Sequence, residues 1–288
     1  MCDDKMPLVR KNAAKNISDF AKSVPQDLLE SELIPKFESL SIHVNHPQVG
    51  LGTDDELEYI KIITVDHLHE MADLAPDSET LLAITRAAIQ DNSWKIRLSI
   101  AKQIDKLVNA FGTMVASQHL LDDLGALLRD TEGEVKRETV HSFTKCIHLL
   151  DLDRVKESSY FSVLKECYKE EYADFKEGVA ESICEIAFHI DEHDVTDELM
   201  PIMIKLMKDK TPQVKIRVVE GIAKMSKALG PKIFNKELND SFKALLNENQ
   251  WRIRHSVYDL IGQIGLNFGQ ATFADTLEPL FLSQPGYL

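Results

Sequence analysis

The sequence contains little cysteine, proline or glycine. Its four cysteines are Cys2, Cys146, Cys167 and Cys184, and no two of them have the C-x-x-C spacing of a zinc or redox motif. Cysteines at apolar positions without such a motif favour a reducing intracellular compartment, so we expect a cytoplasmic or nuclear protein. The 10 prolines and 12 glycines are too few for a fibrous or disordered chain.

Long apolar runs and an excess of positive charge are also missing. No run reaches the length of a membrane span, and the first residues, MCDDKM, lack the apolar core of a signal peptide, so we predict no membrane insertion. The formal net charge of −14 argues against general nucleic-acid binding, which depends on neutralising phosphates. The acidic charge is explained either by solubility or by attraction to a basic partner.

Motifs for catalysis are absent as well. The sequence has no phosphate-binding glycine-rich loop and no nucleophile motif. His67 and His69 are two residues apart and would point to different faces of a helix, whereas His189 and His193 could share a face beside an acidic helix end. We therefore predict no enzyme, no metal site and no cofactor.

One pattern recurs seven times along the chain: an acidic residue, four further residues, an apolar residue and then Lys or Arg. The seven bases are spaced by 51, 36, 39, 40, 39 and 39 residues. A period near 39 is typical of helical repeats that stack into a solenoid. The acids and bases are Asp4, Asp55, Asp91, Asp130, Glu170, Asp209 and Glu248, followed respectively by Arg10, Lys61, Arg97, Lys136, Lys176, Lys215 and Arg254.

Apolar residues at fixed offsets predict two helices in each repeat. Counted from the apolar residue of each motif, which we call the origin, positions 4, 8 and 11 further on are mostly apolar and share one helix face. Positions 15, 8 and 7 before the origin are also mostly apolar, and they share one face of an earlier helix. Prolines precede two second helices, at Pro7 and Pro212, and glycines are placed to end three, at Gly112, Gly230 and Gly269.

The predicted fold is therefore all-α, an α-α superhelix of about seven helical hairpins with incomplete terminal repeats. We expect one array over residues 1–288, with half repeats at 1–29 and 271–288 and full units at 30–76, 77–115, 116–153, 154–193, 194–232 and 233–270. The chain would open in a second helix and close with Leu277-Glu278-Pro279, the start of a further first helix. This favours the interior of a longer array or a truncated paralogue.

The recurring charges predict a ladder. An acid at the start of each second helix suits the positive end of the helix dipole, and the base after the origin could reach the acid of an adjacent repeat. The alternative is that the acids are caps and the bases are solvated. The turn around residues 43–55 is twelve residues longer than the others, which fits either an enlarged partner-contacting loop or a tolerated insertion.

Both tryptophans of the chain lie in turns beside a base. They occur in DNSWKIR, with Trp94 and Lys95, and in ENQWRIR, with Trp251 and Arg252. Tryptophan and arginine are the residues most enriched at the energetic centres of protein interfaces. The alternative is that each ring packs on its own hairpin.

Several strings resemble HEAT repeats, and more closely the scaffold A subunits of protein phosphatase 2A. These are DDKMPLVRKNAAKNISDFAK, SELIPKF, DNSWKIRLSIAKQ, ELMPIMIKLMKD and ENQWRIRHSVYDLIGQ. The resemblance spans half of the fifth to half of the twelfth of fifteen repeats. It implies a non-catalytic horseshoe whose turns hold the phosphatase catalytic subunit together with a regulatory B-type subunit.

The resemblance also implies contact residues. By position, regulatory subunits would contact Pro7, Arg10, Trp94, Lys95 and Arg97, and the catalytic subunit would first contact Trp251 and Arg252. The chain departs from the pattern at the long turn, at Phe175-Lys176 and at its ends, and most of the catalytic-subunit dock would lie after Leu288. The alternative is another HEAT adaptor, such as a nuclear transport receptor or an assembly factor. A transport receptor would carry paired acidic and tryptophan sites along its helices.

Overall fold

The regular structure of the chain consists of helices. In a computed structural model the described residues are Cys2, Asp4 and the ranges 6–41 and 54–276, and these contain no strand. The prediction of an all-α helical-repeat fold is confirmed. The extra residues of the long turn and the segment beginning at Leu277 lie outside the described residues. Contacts divide the chain into two compact units, Met1–Val163 and Leu164–Leu288.

Unit 1 contains successive antiparallel helices of the predicted hairpins. Its helices are α1 (Pro7–Ala21), α2 (Gln26–Leu28), α3 (Ile34–Ser41), α4 (Asp54–Asp66), α5 (Leu68–Leu74), α6 (Glu79–Ile89), α7 (Trp94–Ala101), α8 (Ile104–His119), α9 (Leu121–Leu128), α10 (Gly133–Cys146) and α11 (Leu152–Glu157), followed by α12 (Ser159–Leu164). Neighbouring second helices pack on one another, α1 on α4, α4 on α7 and α7 on α10.

Unit 2 repeats the arrangement with longer second helices. It contains α13 (Ala173–His189), α14 (Glu192–Asp194), α15 (Met200–Leu206), α16 (Pro212–Leu229), α17 (Lys236–Leu246) and α18 (Trp251–Thr276). The second helices α13, α16 and α18 pack in sequence. Short π-helical turns, Leu29–Leu33 in unit 1 and Val195–Leu199 in unit 2, precede the matching strings Leu33-Ile34-Pro35 and Leu199-Met200-Pro201. Each proline lacks an N–H and crowds the carbonyl four residues earlier, which favours a wider turn there.

The predicted helix ends are confirmed where glycine and proline mark them. Pro7 and Pro212 are the first residues of α1 and α16, where a missing N–H costs no helical bond. Gly112, Gly230 and Gly269 have φ angles of 78°, 79° and 80°. Only glycine adopts this left-handed backbone without strain, so each glycine ends a second helix or bends it sharply.

The predicted apolar faces form the core. Origin residues Ile96, Val135, Val214 and Ile253 are at most 1% exposed, and so are the residues eight positions on in four repeats, Leu68, Phe143, Ile183 and Ile222. The first helices contribute Leu81, Tyr160, Leu199 and Leu238, all fully buried. A hairpin alone would leave these side chains in water, so stacking of neighbouring hairpins supplies the stability.

Two second helices of unit 1 are interrupted, which corrects the prediction of one continuous helix. The breaks fall at His67, between α4 and α5, and at Lys102–Gln103, between α7 and α8. The buried Gln103 side chain lies at the second break and bonds the backbone at the first: its Nε2 donates to the Val65 carbonyl at 2.8 Å, and its Oε1 accepts from the His69 N–H at 3.2 Å. These bonds satisfy backbone groups that a broken helix leaves without partners.

Candidate protein-binding turns

In unit 1 the base of one turn contacts the acid of the next turn. Lys61 Nζ contacts Asp91 Oδ2. The Arg97 guanidinium binds Asp130 through two parallel bonds, Nε to Oδ2 at 2.5 Å and Nη2 to Oδ1 at 2.9 Å. The Asp130 side chain is only 4% exposed. A paired fork of this kind fixes distance and orientation, so it sets the register of neighbouring hairpins.

Unit 2 contains the same contacts. Lys176 Nζ contacts Asp209 Oδ2, and Lys215 Nζ contacts Glu248 Oε1. The side chain of Lys176 is 5% exposed, so this pair is more shielded from water than an ordinary surface ion pair. The ladder roles of Lys136 and Glu170 stay predictions, and the side chain of Asp55 lies outside the described residues.

Four aspartates of the ladder also close their own turns. The Oδ1 atoms of Asp4, Asp91, Asp130 and Asp209 accept the backbone N–H two residues on, at 2.8 to 2.9 Å. Burial raises the pKa of Asp130, but the bonds from Arg97 and the Glu132 N–H outweigh burial and hold that pKa below its ordinary value. The pKa of Asp209 is also below its ordinary value, because burial, which raises it, is outweighed by the bonds from Lys176 and Thr211.

Three arginines donate hydrogen bonds to the backbone carbonyls of their own turns. Nη1 of Arg10 donates to the Asp4 carbonyl at 2.7 Å, and Nη1 of Arg97 donates to the Asp91 carbonyl at 2.7 Å. In the last described turn, Nη1 of Arg254 donates to the Glu248 and Asn249 carbonyls. Arg10 is only 4% exposed. Arg10 and Arg97 therefore support the turn backbone internally, and their predicted contacts with a partner stay predictions.

The turn of Trp94 is partly covered by the preceding hairpin. Trp94 begins α7 and is 38% exposed. Glu58, from α4, accepts a hydrogen bond from Ser93 Oγ, and its other oxygen lies 3.1 Å from Lys95 Nζ. Lys95 keeps half of its side chain in water. The turn therefore presents part of the indole together with the Lys95 side chain.

The turn of Trp251 is more open. Trp251 begins α18 and is 62% exposed. The Arg252 guanidinium lies 5.6 Å from the indole centroid, and His255 meets the ring edge-on with centroids 6.2 Å apart. Among the described residues Arg252 has no carboxylate within ion-pair distance. Indole and guanidinium are thus both available, next to a groove between α16 and α18.

The first turn adds residues that the sequence interpretation missed. Pro7 lines a recess of about 440 Å³ with Leu8, Lys11, Glu56, Tyr59 and Ile60. Leu8 is 65% exposed, and Lys11 Nζ lies 4.2 Å from the centroid of the Tyr59 ring. An alignment on the origin would have found two of them, because Leu8 and Tyr59 occupy the position of Lys95 and Arg252.

His67 contacts two side chains. His67 Nδ1 lies 2.8 Å from Glu70 Oε1 and 3.3 Å from the buried Ser18 Oγ. Both contacts use the same ring nitrogen, so the three residues do not have the geometry of a proton relay. Within the described ranges, no group of three His, Cys, Asp or Glu side chains could hold a metal ion, and no helix is long and apolar enough to span a membrane.

Comparison with known proteins places the chain among helical-repeat proteins. No protein-family model matches it. The chain is 30% identical over 116 residues to the regulatory A subunit of protein phosphatase PP2A of Schizosaccharomyces pombe. This match covers 39% of the chain and 18% of that relative, so the chain spans less than a fifth of the relative's length.

Three solved structures illustrate the fold. An engineered protein matches with a TM-score of 0.61 and 13% identity, over 96% of this chain and 69% of its own. A designed armadillo repeat protein in complex with the peptide (KR)4 matches with a TM-score of 0.55 and 17% identity, over 81% and 100%. A Kap121p mutant matches with a TM-score of 0.58 and 12% identity, over 98% and 35%. At these identities the likeness establishes the fold alone.

Proposed function

We propose that the chain is a non-catalytic scaffold segment of a phosphatase 2A-type complex whose turns hold other subunits. The observation that carries the proposal is the pair of tryptophan turns, in which an exposed indole stands beside a cation. The 30% identity to a phosphatase regulatory A subunit, over 116 residues, supports the choice of complex. A scaffold of this kind acts by raising the concentration of its bound partners near one another.

Three turns are assigned to two different partners. The turns of Pro7 and Trp94 would contact a B-type regulatory subunit, with Lys95 beside the indole. The turn of Trp251 would contact the catalytic subunit, with Arg252 beside the indole. Buried Arg10 and partly buried Arg97 would act by holding the turn backbone, because their Nη1 atoms are already bonded to turn carbonyls.

The chemistry of these turns suits protein recognition. An indole contributes a large rigid contact area at little cost in conformational entropy, and a neighbouring guanidinium or ammonium adds a directional charge. Tryptophan at the centre of an interface commonly contributes about 2 kcal/mol or more to binding. A rigid helical hairpin holds the ring in place before binding, which lowers the entropic cost of association.

The test is direct binding to purified subunits. We expect Trp251→Ala and Arg252→Ala each to weaken binding of the phosphatase catalytic subunit by about tenfold or more while the helix content is unchanged. Trp94→Ala should leave that affinity unchanged and should weaken binding of a B-type regulatory subunit instead. Isothermal titration calorimetry measures both affinities, and circular dichroism checks the fold.

Leu266→Ala is the matched control, because Leu266 is an apolar residue of the same helix, is 87% exposed and lies outside the turn. Loss of binding in this control would point to a general effect on α18. If the Trp251 and Arg252 variants bind both subunits like the unmodified chain, the assigned contact surface is wrong.

A second candidate is another helical-repeat adaptor, such as a nuclear transport receptor. One observation favours it: the groove beside Trp251 also holds the carboxylates of Glu220 and Asp259 on its helices. Such a receptor would carry several sites of this kind along its helices. Here both tryptophans are the first residues of helices and lie at turns. Capture of transport cargo with no phosphatase subunit from a defined mixture of both would favour the adaptor.

A further inference from the structure

The groove between α16 and α18 is the starting point. It has a volume of about 480 Å³. Its floor is apolar, since Val219, Ala223 and Leu260 line it and are at most 5% exposed. Trp251 and Arg252 stand at the end nearest the turn. The space is large enough for one or two long side chains of another polypeptide.

The helical walls of the groove carry negative charge. Glu220 and Asp259 are each six residues after the origin of their helix, so they lie at the same level on neighbouring helices. Glu220 shares Arg217 with Glu177, and Arg217 also experiences the charge of Glu181. Of the α16 residues that line the groove, Glu220 alone is charged, so this wall presents a carboxylate.

The second carboxylate is no better neutralised. Asp259 Oδ2 lies 3.0 Å from His255 Nδ1, and both side chains are more than 60% exposed. Among the described residues, no Lys or Arg lies within ion-pair distance of Asp259. Both walls of the groove therefore attract cations, and Arg252 at the turn end is the opposing charge.

Trp251 supplies the remaining element. Its ring is 62% exposed at the mouth of the groove. The face of an indole attracts a cation and also covers the methylene groups of a long side chain. An apolar floor, an aromatic mouth and two carboxylates match a side chain that has an apolar stem and a cationic head.

We propose that this groove binds a Lys or Arg side chain from a basic segment of a partner polypeptide. The stem lies on Trp251 and Ile216, and the head lies between Glu220 and Asp259. An acidic segment would place its charge against both carboxylates, and a purely apolar one would take them out of water without a partner. The inference goes beyond the proposed function, since it holds whether or not the partner belongs to a phosphatase.

A short peptide tests the groove. The probe is a synthetic ten-residue peptide in which Arg and Lys alternate with Gly and Ser, compared with a peptide that has Gln at each basic position. Binding is followed by the fluorescence of Trp251 in a Trp94→Phe background and by titration calorimetry. We expect the basic peptide to bind and the Gln peptide to bind at least about tenfold more weakly.

Charge variants separate the groove from the general acidity of the chain. The double variant Glu220→Gln, Asp259→Asn should weaken binding of the basic peptide about tenfold. Glu237→Gln with Asp240→Asn removes the same charge from the exposed face of α17 and should change affinity less than about twofold. Equal weakening by both double variants, or equal binding of both peptides, would overturn the proposal.

Two further variants define the contacts. Trp251→Ala should weaken the basic peptide roughly three- to fivefold through loss of the cation–π contact. Arg252→Gln should strengthen it about twofold, because a repelling charge is removed. The proposed scaffold function expects the opposite sign for Arg252→Ala with the catalytic subunit, so the two proposals can fail separately. Preference for an acidic peptide over the basic one would contradict the inference.

Discussion

The two tryptophan turns share a sequence pattern and differ in what surrounds them. Both place an indole at the first residue of a second helix, a base next to it and an arginine three residues on. Trp94 is 38% exposed and Trp251 is 62% exposed. The Arg97 side chain is bound by Asp130, whereas among the described residues Arg254 contacts turn carbonyls only.

The preceding hairpin also differs between the two turns. Two residues before its origin, the hairpin ahead of Trp94 has Glu58, which bonds Ser93 and Lys95. The hairpin ahead of Trp251 has Pro212 at that position, with no charge to offer. The same turn motif is therefore covered in unit 1 and open in unit 2. We infer that a residue of the neighbouring hairpin sets how much of a turn is available for binding.

The largest expected effect is on the ladder contact of the Trp94 turn. Asp130→Ala leaves the Arg97 guanidinium partly buried without its carboxylate and the Glu132 N–H without its acceptor. We expect the free energy of unfolding of unit 1 to fall by about 2–3 kcal/mol. Urea unfolding followed by Trp94 fluorescence, in a Trp251→Phe background, measures it.

Asp130→Asn sharpens this result, because an amide oxygen can still accept from the Glu132 N–H while the charge is lost. It should destabilise less than alanine. Glu134→Gln is the control in the same turn and should cost about 0.5 kcal/mol or less. A loss for Asp130→Ala no larger than that of this control would show that the contact does not stabilise the turn.

Acid should weaken unit 1 in a defined window. Burial raises the pKa of Glu70, but hydrogen bonds from Lys22 and His67 outweigh burial and lower that pKa from 4.5 to about 2. A carboxyl whose folded pKa is depressed stabilises the protein above its unfolded pKa, and this stabilisation is lost as pH falls through the folded value. Unit 1 should therefore lose on the order of 2 kcal/mol from this group between pH about 4.5 and about 2.

Unfolding free energies measured across that window, with Trp94 as the probe, test the effect. Glu70→Gln should flatten the dependence of unit 1, and the Trp251 signal of unit 2 should follow the same course with or without the substitution. Parallel pH curves for the variant and the unmodified chain in unit 1 would refute the role of Glu70.

The smallest expected effect concerns the cover over Trp94. Glu58→Ala removes the bonds to Ser93 and Lys95 and should cost less than about 1 kcal/mol, since these contacts are partly exposed. Acrylamide quenching is measured for each tryptophan in a variant that lacks the other one. In Glu58→Ala the quenching of Trp94 should rise towards the value for Trp251. The reverse exchange, Pro212→Glu, should reduce quenching of Trp251. Asp77→Ala, an exposed acid elsewhere in unit 1, should alter neither, and unchanged quenching in Glu58→Ala would disprove the cover.

Much of the fold could be predicted because each repeat places its buried apolar residues at the same offsets from the origin. Apolar residues at 4, 8 and 11 after the origin can share a side of a chain only in a helix. That side is buried in every repeat from α4 onwards, whereas in α1 Phe20 is 58% exposed. The glycines at 112, 230 and 269 end or bend their helices as expected, because their positive φ is a local property of the residue.

The candidate site was only partly predictable. The period placed the base of one turn near the acid of the next, and four such contacts are present. The exposure of Trp94 and Trp251 could not be predicted from their own turns, because Glu58 and Pro212 belong to other hairpins. The burial of Arg10 was missed for a similar reason, since the recurring pattern does not show which bases bond their own turn.

The sequence by itself determined the hairpins, their apolar faces and the turns in which both tryptophans stand, because helix periodicity and turn residues act over a few positions. Only the tertiary structure decided where second helices break, and how far each indole is covered. Gln103 joins the breaks at His67 and Lys102 through the Val65 carbonyl and the His69 N–H, which lie more than 30 residues away. Such bonds depend on which hairpins stack side by side, and no local pattern records that.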